Sequence, residues 1–417
     1  DVDSETILWW WDEIPTFYGD VSAMVHPLYE IDSLESVPIS FMWIYSEMGD
    51  SALSDSAGAY LLDIPFVDSM LIFGNFIGLY ADVTPVSGVN STCGGGALEE
   101  HFDLHFNDEC PGVDETGGFY HVNVVHSYFK MLDPDYTAMD YPVPVRVSDT
   151  ISPCPTNAFW DGYGIHLGAG DGAHYLNFGL YADVIYHEYT HGVTHYIYPD
   201  EVLPYSGQPG AMDEAFSDYF PCAITGEPYI GEAGLVVGME WMRSLDNDLV
   251  YPDDWEGEVH ADSRIISGAW WEIREDIPEH EWVDSLVHFT RFTLANRFDD
   301  FAYEMLILDD DDGDISNGTP HDTEIMQAYM RHGIGGFGIK ISHEQLRDTE
   351  DTTASYRVRA EIETFTSVDS FELFYSIDGG ETFTAVEMAE TDTYNAVSYT
   401  HLRAHETSLH LVCRLLL

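Results

Sequence analysis

The chain has 417 residues, room for two or three domains at about 150 residues each. Its 45% hydrophobic and 14% aromatic content can fill real cores, which excludes wholesale disorder, and no apolar run reaches the roughly 18 residues of a membrane span. With 75 acidic and 14 basic side chains the net charge is −61, a surface that repels nucleic acid and anionic membranes and suits solution in concentrated salt.

The chain opens at Asp1 rather than Met, as a processed or incomplete N-terminus does. Residues 1–90 read as strands and turns, with short or alternating apolar runs at Val21–Pro38 and Ala59–Phe66 broken by Gly, Asp and Ser. Within them, Ser51 to Leu61 resembles the turn and strand of carboxypeptidase-regulatory-like β-sandwiches. From about 115 to 335 the apolar spacing becomes helical, at Tyr120–Leu132, Tyr181–Tyr196, Ala211–Thr225, Ala261–Glu275 and Trp282–Phe298. Thr319-Pro320 then predicts a capped helix start with Pro in the first turn, and Gly333 its stop.

After Phe337 strands return at Tyr356–Ile362, Ser370–Ser376 and Thr382–Val386, with a hairpin turn at Asp378-Gly-Gly. That pattern predicts an immunoglobulin-like sandwich over 337–397. Ser398 to Leu417 holds a single acidic residue, Glu406, in an otherwise very acidic chain. It resembles translated adapter DNA and is set apart as a non-native tail. The cysteines Cys93, Cys110, Cys154, Cys222 and Cys413 contain no CxxC pair, which argues against a thiolate zinc site. Without the tail four remain, enough for two disulfides in any of three connectivities, as in an extracellular protein.

The chemical signal is His187-Glu188-Tyr189-Thr190-His191. On a helix the two histidines lie one turn apart on one face and can share a metal ion, with Glu188 beside them to handle the proton of an attacking water. Ala211-Met-Asp-Glu214-Ala-Phe-Ser-Asp218 follows after the turn-rich Tyr205–Gly210. Glu214 can complete a His2Glu zinc site with an open fourth position, and Asp218, one turn further on, can accept the outer N–H of a ligating histidine. The HxxxH spacings at His101/His105 and His191/His195 read as surface coincidences.

The HExxH, the downstream Glu-Ala-Phe-Ser-Asp and their order resemble the thermolysin and fungalysin metallopeptidases, the gluzincins. Further matches extend that resemblance over about 115–335. Asn157-Ala158-Phe159-Trp160 is similar to the edge strand that pairs with substrate backbone, and Tyr205 to the tyrosine that stabilises the oxyanion. Met242-Arg243-Ser244-Leu245 is similar to the segment whose arginine grips substrate, and Glu258-Val259-His260 to that of the oxyanion-assisting histidine. Tyr120 to Phe129 and Gly192 look more like the fungalysin side. The sequence departs from the family in four places, the first being the 22 residues between His191 and Glu214, slightly more than in thermolysin and fewer than in typical fungalysins. Asp213 stands where thermolysin has asparagine, and Trp255, flanked by Asp254 and Glu256, stands where it has the acid that orients the histidine. The acidic cluster of the paired calcium site has no clear counterpart after Glu214.

The resemblance implies a multidomain α+β chain. A thermolysin-like two-lobed catalytic domain with a helical C-terminal lobe would occupy 91–336, flanked by β-sandwich domains at 1–90 and 337–397, with the tail at 398–417. It implies a secreted, monomeric zinc endopeptidase acting on proteins or peptides, with no nucleic-acid or membrane partner. One Zn2+ would be held by His187, His191 and Glu214, with Asp218 behind them. Glu188, Tyr205 and His260 would be catalytic, and Asn157, Ala158 and Arg243 would hold substrate, with a hydrophobic residue preferred on the amino side of the leaving group. Asp310, Asp312 and Asp314, alternating around Gly313, form a candidate calcium site. Two rival readings are a non-catalytic adhesion or matrix-binding protein, and a zinc aminopeptidase. An intact Glu188 argues against the first, and the want of a GxMxN-like stretch ahead of His187 against the second. The charge generates a first prediction. Raising salt from about 0.1 M to about 1 M, where the Debye length shrinks to about 3 Å, should raise the melting temperature; a salt-independent Tm refutes the halophilic reading.

Overall fold

A computed structural model describes residues 17–64, 69–88, 90–107, 112–151, 155–199 and 201–335. Beyond these it describes 339–343, 355–364, 370–376, 382, 384–391, 396–403 and 410–416. Cys110, Cys154, Phe66, Phe337 and the turn at Asp378 lie outside the described residues. The chain divides into two compact units, 1–249 with 253–296, and 250–252 with 297–417.

The first unit opens with β1 (Phe17–Val25), β2 (Glu35–Pro38), β3 (Met42–Ser46), β4 (Ser51–Leu53), β5 (Ala59–Leu62), β6 (Met70–Gly78), β7 (Ala81–Pro85), β8 (Thr92–Ala97) and β9 (Leu104–Phe106). In β1 and β6 every second side chain is buried, the two-residue period of a sheet with one covered face. After helix α1 (Val113–Leu132) come β10 (Val143–Asp149), β11 (Ala158–Trp160) and β12 (Ile165–Gly168). They join the earlier strands in one eight-stranded sheet of order β11-β12-β10-β7-β6-β3-β4, with β8 also on β6. The boundary expected near residue 90 therefore falls inside this unit. Parallel pairing of β10 with β7, from Val143 against Ala81 onward, ties residues 42–85 to the sheet that carries β11.

Helix α1 packs against β7 and β10 of the sheet, with Phe119, Val122 and Val125 buried, while Phe129, also buried, turns to Tyr189 and Phe220. Each such side chain contributes about 1.5–3 kcal/mol on burial. Phe76 of β6 meets Phe106 and Phe119 at 4.8 and 5.8 Å between ring centroids. Behind α1 runs α2 (Ala182–Ile197), followed by α3 (Gly207–Thr225), the short strands β13 (Tyr229–Ile230) and β14 (Arg243–Ser244), and helices α4 (Val259–Asp276) and α5 (His280–Thr290). Helix α5 ends earlier than the apolar pattern predicts. Arg291–Thr293 tightens into a 3-10 turn, and Leu294 adopts φ 62°, a left-handed backbone that stops the helix short of Phe298.

Cys222 lies buried in α3 as a free thiol, so it takes no part in the two-disulfide scheme; Cys93 is in a disulfide. Among the described residues no helix is long and apolar enough to cross a membrane.

The second unit contains α6 (Phe298–Asp309), α7 (Asp322–Arg331) and the strands β15 (Ile339–His343), β16 (Ser355–Thr364), β17 (Ser370–Ser376), β18 (Thr384–Thr391), β19 (Ala396–Arg403) and β20 (His410–Leu416). The strands follow an antiparallel order, β15-β16-β19-β18-β17-β20, in which β18 pairs with β17 over Thr384–Met388 and with β19 over Ala389–Thr391. That order includes β20 and most of β19 from the segment set apart as a tail. Helix α7 starts at Asp322 rather than at Pro320. Thr319 Oγ1 and the backbone N–H of His321 both donate to buried Asp309 Oδ2, at 2.6 and 2.8 Å, and hold the segment out of the helix. Gly333 does stop α7, with φ +69° and the Tyr251 carbonyl where a Cβ would stand.

Two buried histidine–tyrosine pairs join α1 to α2. His121 Nδ1 lies 2.8 Å from the Tyr186 hydroxyl and its Nε2 3.2 Å from the carbonyl of His26, while His126 Nδ1 lies 2.9 Å from the Tyr189 hydroxyl. Burial pushes both imidazoles down to about 4. The unfolded chain, with histidines near 6.5, therefore binds protons first. Stability is full above about pH 6.5 and falls as pH drops toward 4, by roughly 3 kcal/mol per histidine. His121→Gln should flatten the fall of Tm between about pH 6.5 and 4; an unchanged slope removes His121 from this role.

Candidate active site

Helix α2 is buried on nearly every side, because Val184, Ile185, Tyr186, Tyr189, Val193 and Ile197 leave little polar surface on it. Gly192 is required where the helix passes β11, since a Cβ there would meet Met139 Cε at 2.9 Å and the Trp160 ring at 3.1 Å. Helix α3 packs across α2 and begins at Gly207, with φ +60°. A Cβ on Gly210 would stand 2.8 Å from the Tyr205 backbone, so glycine lets the segment before the helix fold back onto it.

This crossing brings His187, His191 and Glu214 together. His187 Nε2 lies 3.1 Å from His191 Nε2 and 3.4 Å from Glu214 Oε2, and His191 Nε2 lies 3.6 Å from Glu214 Oε1. A tetrahedral ion with bonds of about 2.0–2.1 Å sets its ligand atoms roughly 3.3 Å apart, so the triangle has the size of one zinc coordination face. The outer ring nitrogens explain its orientation. His187 Nδ1 faces Asp218 Oδ1 at 2.9 Å, and His191 Nδ1 faces Asp213 Oδ1 at 3.2 Å. With a proton on each Nδ1, both Nε2 lone pairs point at the same space, an arrangement that needs a cation. Glu214 Oε2 is buried and accepts no hydrogen bond. The donor set therefore fits a zinc ion.

The electrostatics agree. Burial alone would lower His187, yet its contacts with Asp218 and Glu214 push it up to about 10. Burial would likewise raise Glu214, but His191, His187 and His260 hold it well below the usual carboxylate range. Glu188, buried beside the histidines, is raised because desolvation outweighs their attraction.

Arg243 takes a position that the sequence reading did not anticipate. It is bound bidentately by Asp218, with Nε–Oδ2 at 2.7 Å and Nη2–Oδ1 at 2.6 Å. Arg243 also lines a cavity of about 350 Å3 whose apolar part is Ala158, Phe178, Val184, Ile230, Leu235 and Met242 and whose polar part includes Asn157, His187, Glu188 and His260. A second cavity of about 580 Å3 runs along Asn157–Trp160 of the edge strand to Tyr198 and Leu203, and is lined also by the three metal-site residues. Strand β11 ends the sheet order beside this cavity, with β12 its one strand partner among the described residues.

Tyr205 and His260 converge on the same ligand. The Tyr205 hydroxyl donates to Glu214 Oε1 and lies 3.4 Å from His260 Nε2, which itself is 3.4 Å from Glu214 Oε1. The acid facing His260 Nδ1, at 2.7 Å, is Glu258 rather than Asp254 or Glu256, and its other oxygen caps α4 by accepting from Ala261 N at 2.9 Å. Asp213 and Glu258 are the contributors that sequence reading missed. Both stand within two residues of predicted ones, and helical geometry was the signal for Asp213.

The acidic run behaves differently from its expectation. Asp310, Asp311 and Asp312 approach one another closely enough to share a cation, while the Asp314 amide donates to Asp312 Oδ1 at 2.9 Å.

Comparison with known proteins gives the following. The family model of the thermolysin metallopeptidase catalytic domain matches residues 118–195. Thermolysin of Bacillus sp. (strain EA1) is 30% identical over 205 residues, 44% of this chain and 36% of that protein. The extracellular elastase of Staphylococcus epidermidis (strain ATCC 12228 / FDA PCI 1200) is 36% identical over 127 residues, 27% of this chain and 24% of that protein. The neutral protease NprE of Bacillus pumilus is 39% identical over 129 residues, 27% and 42% respectively. The matched stretch thus spans well under half the length of these relatives. Among solved structures, the precursor of protealysin, a metalloproteinase from Serratia proteamaculans, aligns at TM-score 0.49 and 19% identity, over 61% of this chain and 86% of that one.

The ion-paired layer behind the histidines yields a prediction. Asp218→Asn should weaken zinc binding by roughly 10–100-fold and strand the Arg243 charge, at a cost of about 3–5 kcal/mol. Competition with a zinc indicator and urea unfolding measure the two effects; an unchanged zinc affinity removes Asp218 from the site.

Proposed function

We propose that this chain, similar in sequence to the thermolysin metallopeptidases, is a secreted, zinc-dependent endopeptidase, monomeric, acting on proteins and peptides. The observation that carries this reading is the pair of Nε2 atoms 3.1 Å apart, gathered with Glu214 into one metal-sized cluster beside a buried Glu188. Zinc held by His187, His191 and Glu214 would supply Lewis-acid polarisation of the scissile carbonyl and acidification of water.

Each remaining role belongs to the chain's own residues. Glu188 takes the proton of the attacking water and passes it to the leaving amine, and its raised pKa strengthens it as the base that accepts that proton. Tyr205 and His260 donate to the developing oxyanion, His260 being oriented through Nδ1 by Glu258. Substrate backbone lies along the edge strand β11 at Ala158, with Asn157 just before it. The apolar cavity beside Arg243 receives a large hydrophobic side chain on the amino side of the leaving group. Secretion is supported by the similarity to an extracellular elastase, and by a Cys93 disulfide that an oxidising compartment preserves. The acidic run Asp310–Asp314 is proposed as a surface calcium site; calcium-dependent Tm checks it.

Glu188→Gln should bind zinc as the wild type does and lose hydrolysis of casein and of end-blocked peptides by at least about 10²-fold. Near-normal turnover in that variant overturns the mechanism. Cleavage of free-amine peptides alone would favour the aminopeptidase reading.

A further inference from the structure

Asp183 is a fully buried carboxylate in the first turn of α2 that the mechanism above leaves unused. Burial pushes it up to about 6, against the pull of the backbone amides that it accepts. Those amides belong to two different walls. Oδ1 accepts from Val184 N at 2.8 Å, and Oδ2 from Gly231 N at 2.6 Å. Val184 lines the apolar cavity from α2, and Ile230, joined to Gly231, lines it from β13.

The second wall is otherwise lightly held. Strand β13 has two residues, and Ile230 pairs with Arg243 while its carbonyl accepts from Met242 N at 2.9 Å. Gly231 has φ +65°, and a Cβ there would stand 2.6 Å from Met242 Sδ, so Met242 packs directly onto the peptide that Asp183 holds. One carboxylate therefore fixes the start of the metal-site helix, Val184, Ile230 and, through Gly231, Met242.

We propose that Asp183 is a positioning residue for specificity, setting the gap between Val184 and Ile230 so that the cavity selects a large aliphatic or aromatic substrate side chain. The proposal rests on the endopeptidase reading. Its ligand class is a peptide whose residue on the amino side of the leaving group is leucine-like, as opposed to glycine. An Asn side chain would keep one acceptor and turn its NH2 toward the other backbone N–H, releasing one wall without removing volume.

The test compares two end-blocked peptides that differ only by Leu or Gly at that residue. In Asp183→Asn the ratio of kcat/KM, Leu over Gly, should fall about tenfold, while the glycine peptide changes less than about twofold. Ile230→Ala, which removes the wall itself, should give the same pattern. Asp183→Ser repeats the comparison if the Asn variant does not melt cooperatively. The same Leu-over-Gly ratio is read as Kd by calorimetry in a Glu188→Gln background, with and without Asp183→Asn. An unchanged ratio, or an equal loss for both peptides, overturns the proposal. If the wild type cleaves neither peptide, the endopeptidase reading fails, and the Kd ratio alone decides whether Asp183 shapes the pocket.

Discussion

Everything at the candidate site depends on two carboxylates behind two imidazoles. Asp218 and Asp213 draw the protons of His187 and His191 to Nδ1, and that leaves two lone pairs 3.1 Å apart in a buried space. Like-charged electron pairs do not hold such a spacing unaided, so the arrangement stores a demand for positive charge. Without a metal, the Asp218 and Glu214 carboxylates push His187 up to about 10 despite burial. Metal and proton therefore compete for the same electron pairs, and affinity at this site is coupled to pH by construction.

The sequence made the helices of the site legible because two independent signals coincided there. HExxH needs a helix, and the apolar spacing around it supplied one; Glu214 and Asp218 repeated that coincidence one element later. Strand partnership was not legible. Nothing in residues 42–85 announces that β7 will pair with β10, some sixty residues on, since a strand's own pattern reports burial and not the identity of its neighbour. The boundary near residue 90 went astray for that reason. Helix ends were lost where a side chain out-competed the local cap, as Asp309 does in capturing both Thr319 and the His321 amide.

Partners of the site residues fall between these cases. Glu258 lies two residues from His260, yet a family offset pointed further back, to Trp255. The structure uses the helix cap instead: one carboxylate closes the N-terminus of α4 with one oxygen and faces the imidazole with the other. Cap and orienting acid thus become one group. The resemblance could reach this only as an absence, because the same geometry is built from a different residue.

The charge arithmetic of the site explains why a scarce cation is placed inside such an acidic chain. Glu188, Asp213, Glu214 and Asp218 bring four carboxylates into or beside one buried space, and Arg243 returns a single positive charge. A divalent ion raises that sum to about −1, whereas a monovalent ion leaves it near −2, a costly residue to bury. Arg243 cannot be traded for a second metal charge, since its fork is what holds Asp218 against His187. Arg291 follows a related logic, buried under Thr194 of α2 and ringed by Phe129, Phe216 and Phe220 at 4.6–5.5 Å rather than by a carboxylate. Its charge rests on aromatic faces, so it supports the two metal-site helices without drawing a further anion into the core. The few basic residues of unit one that are buried thus serve the interior, and the acidic surplus is left to the surface, where solvent and salt screen it.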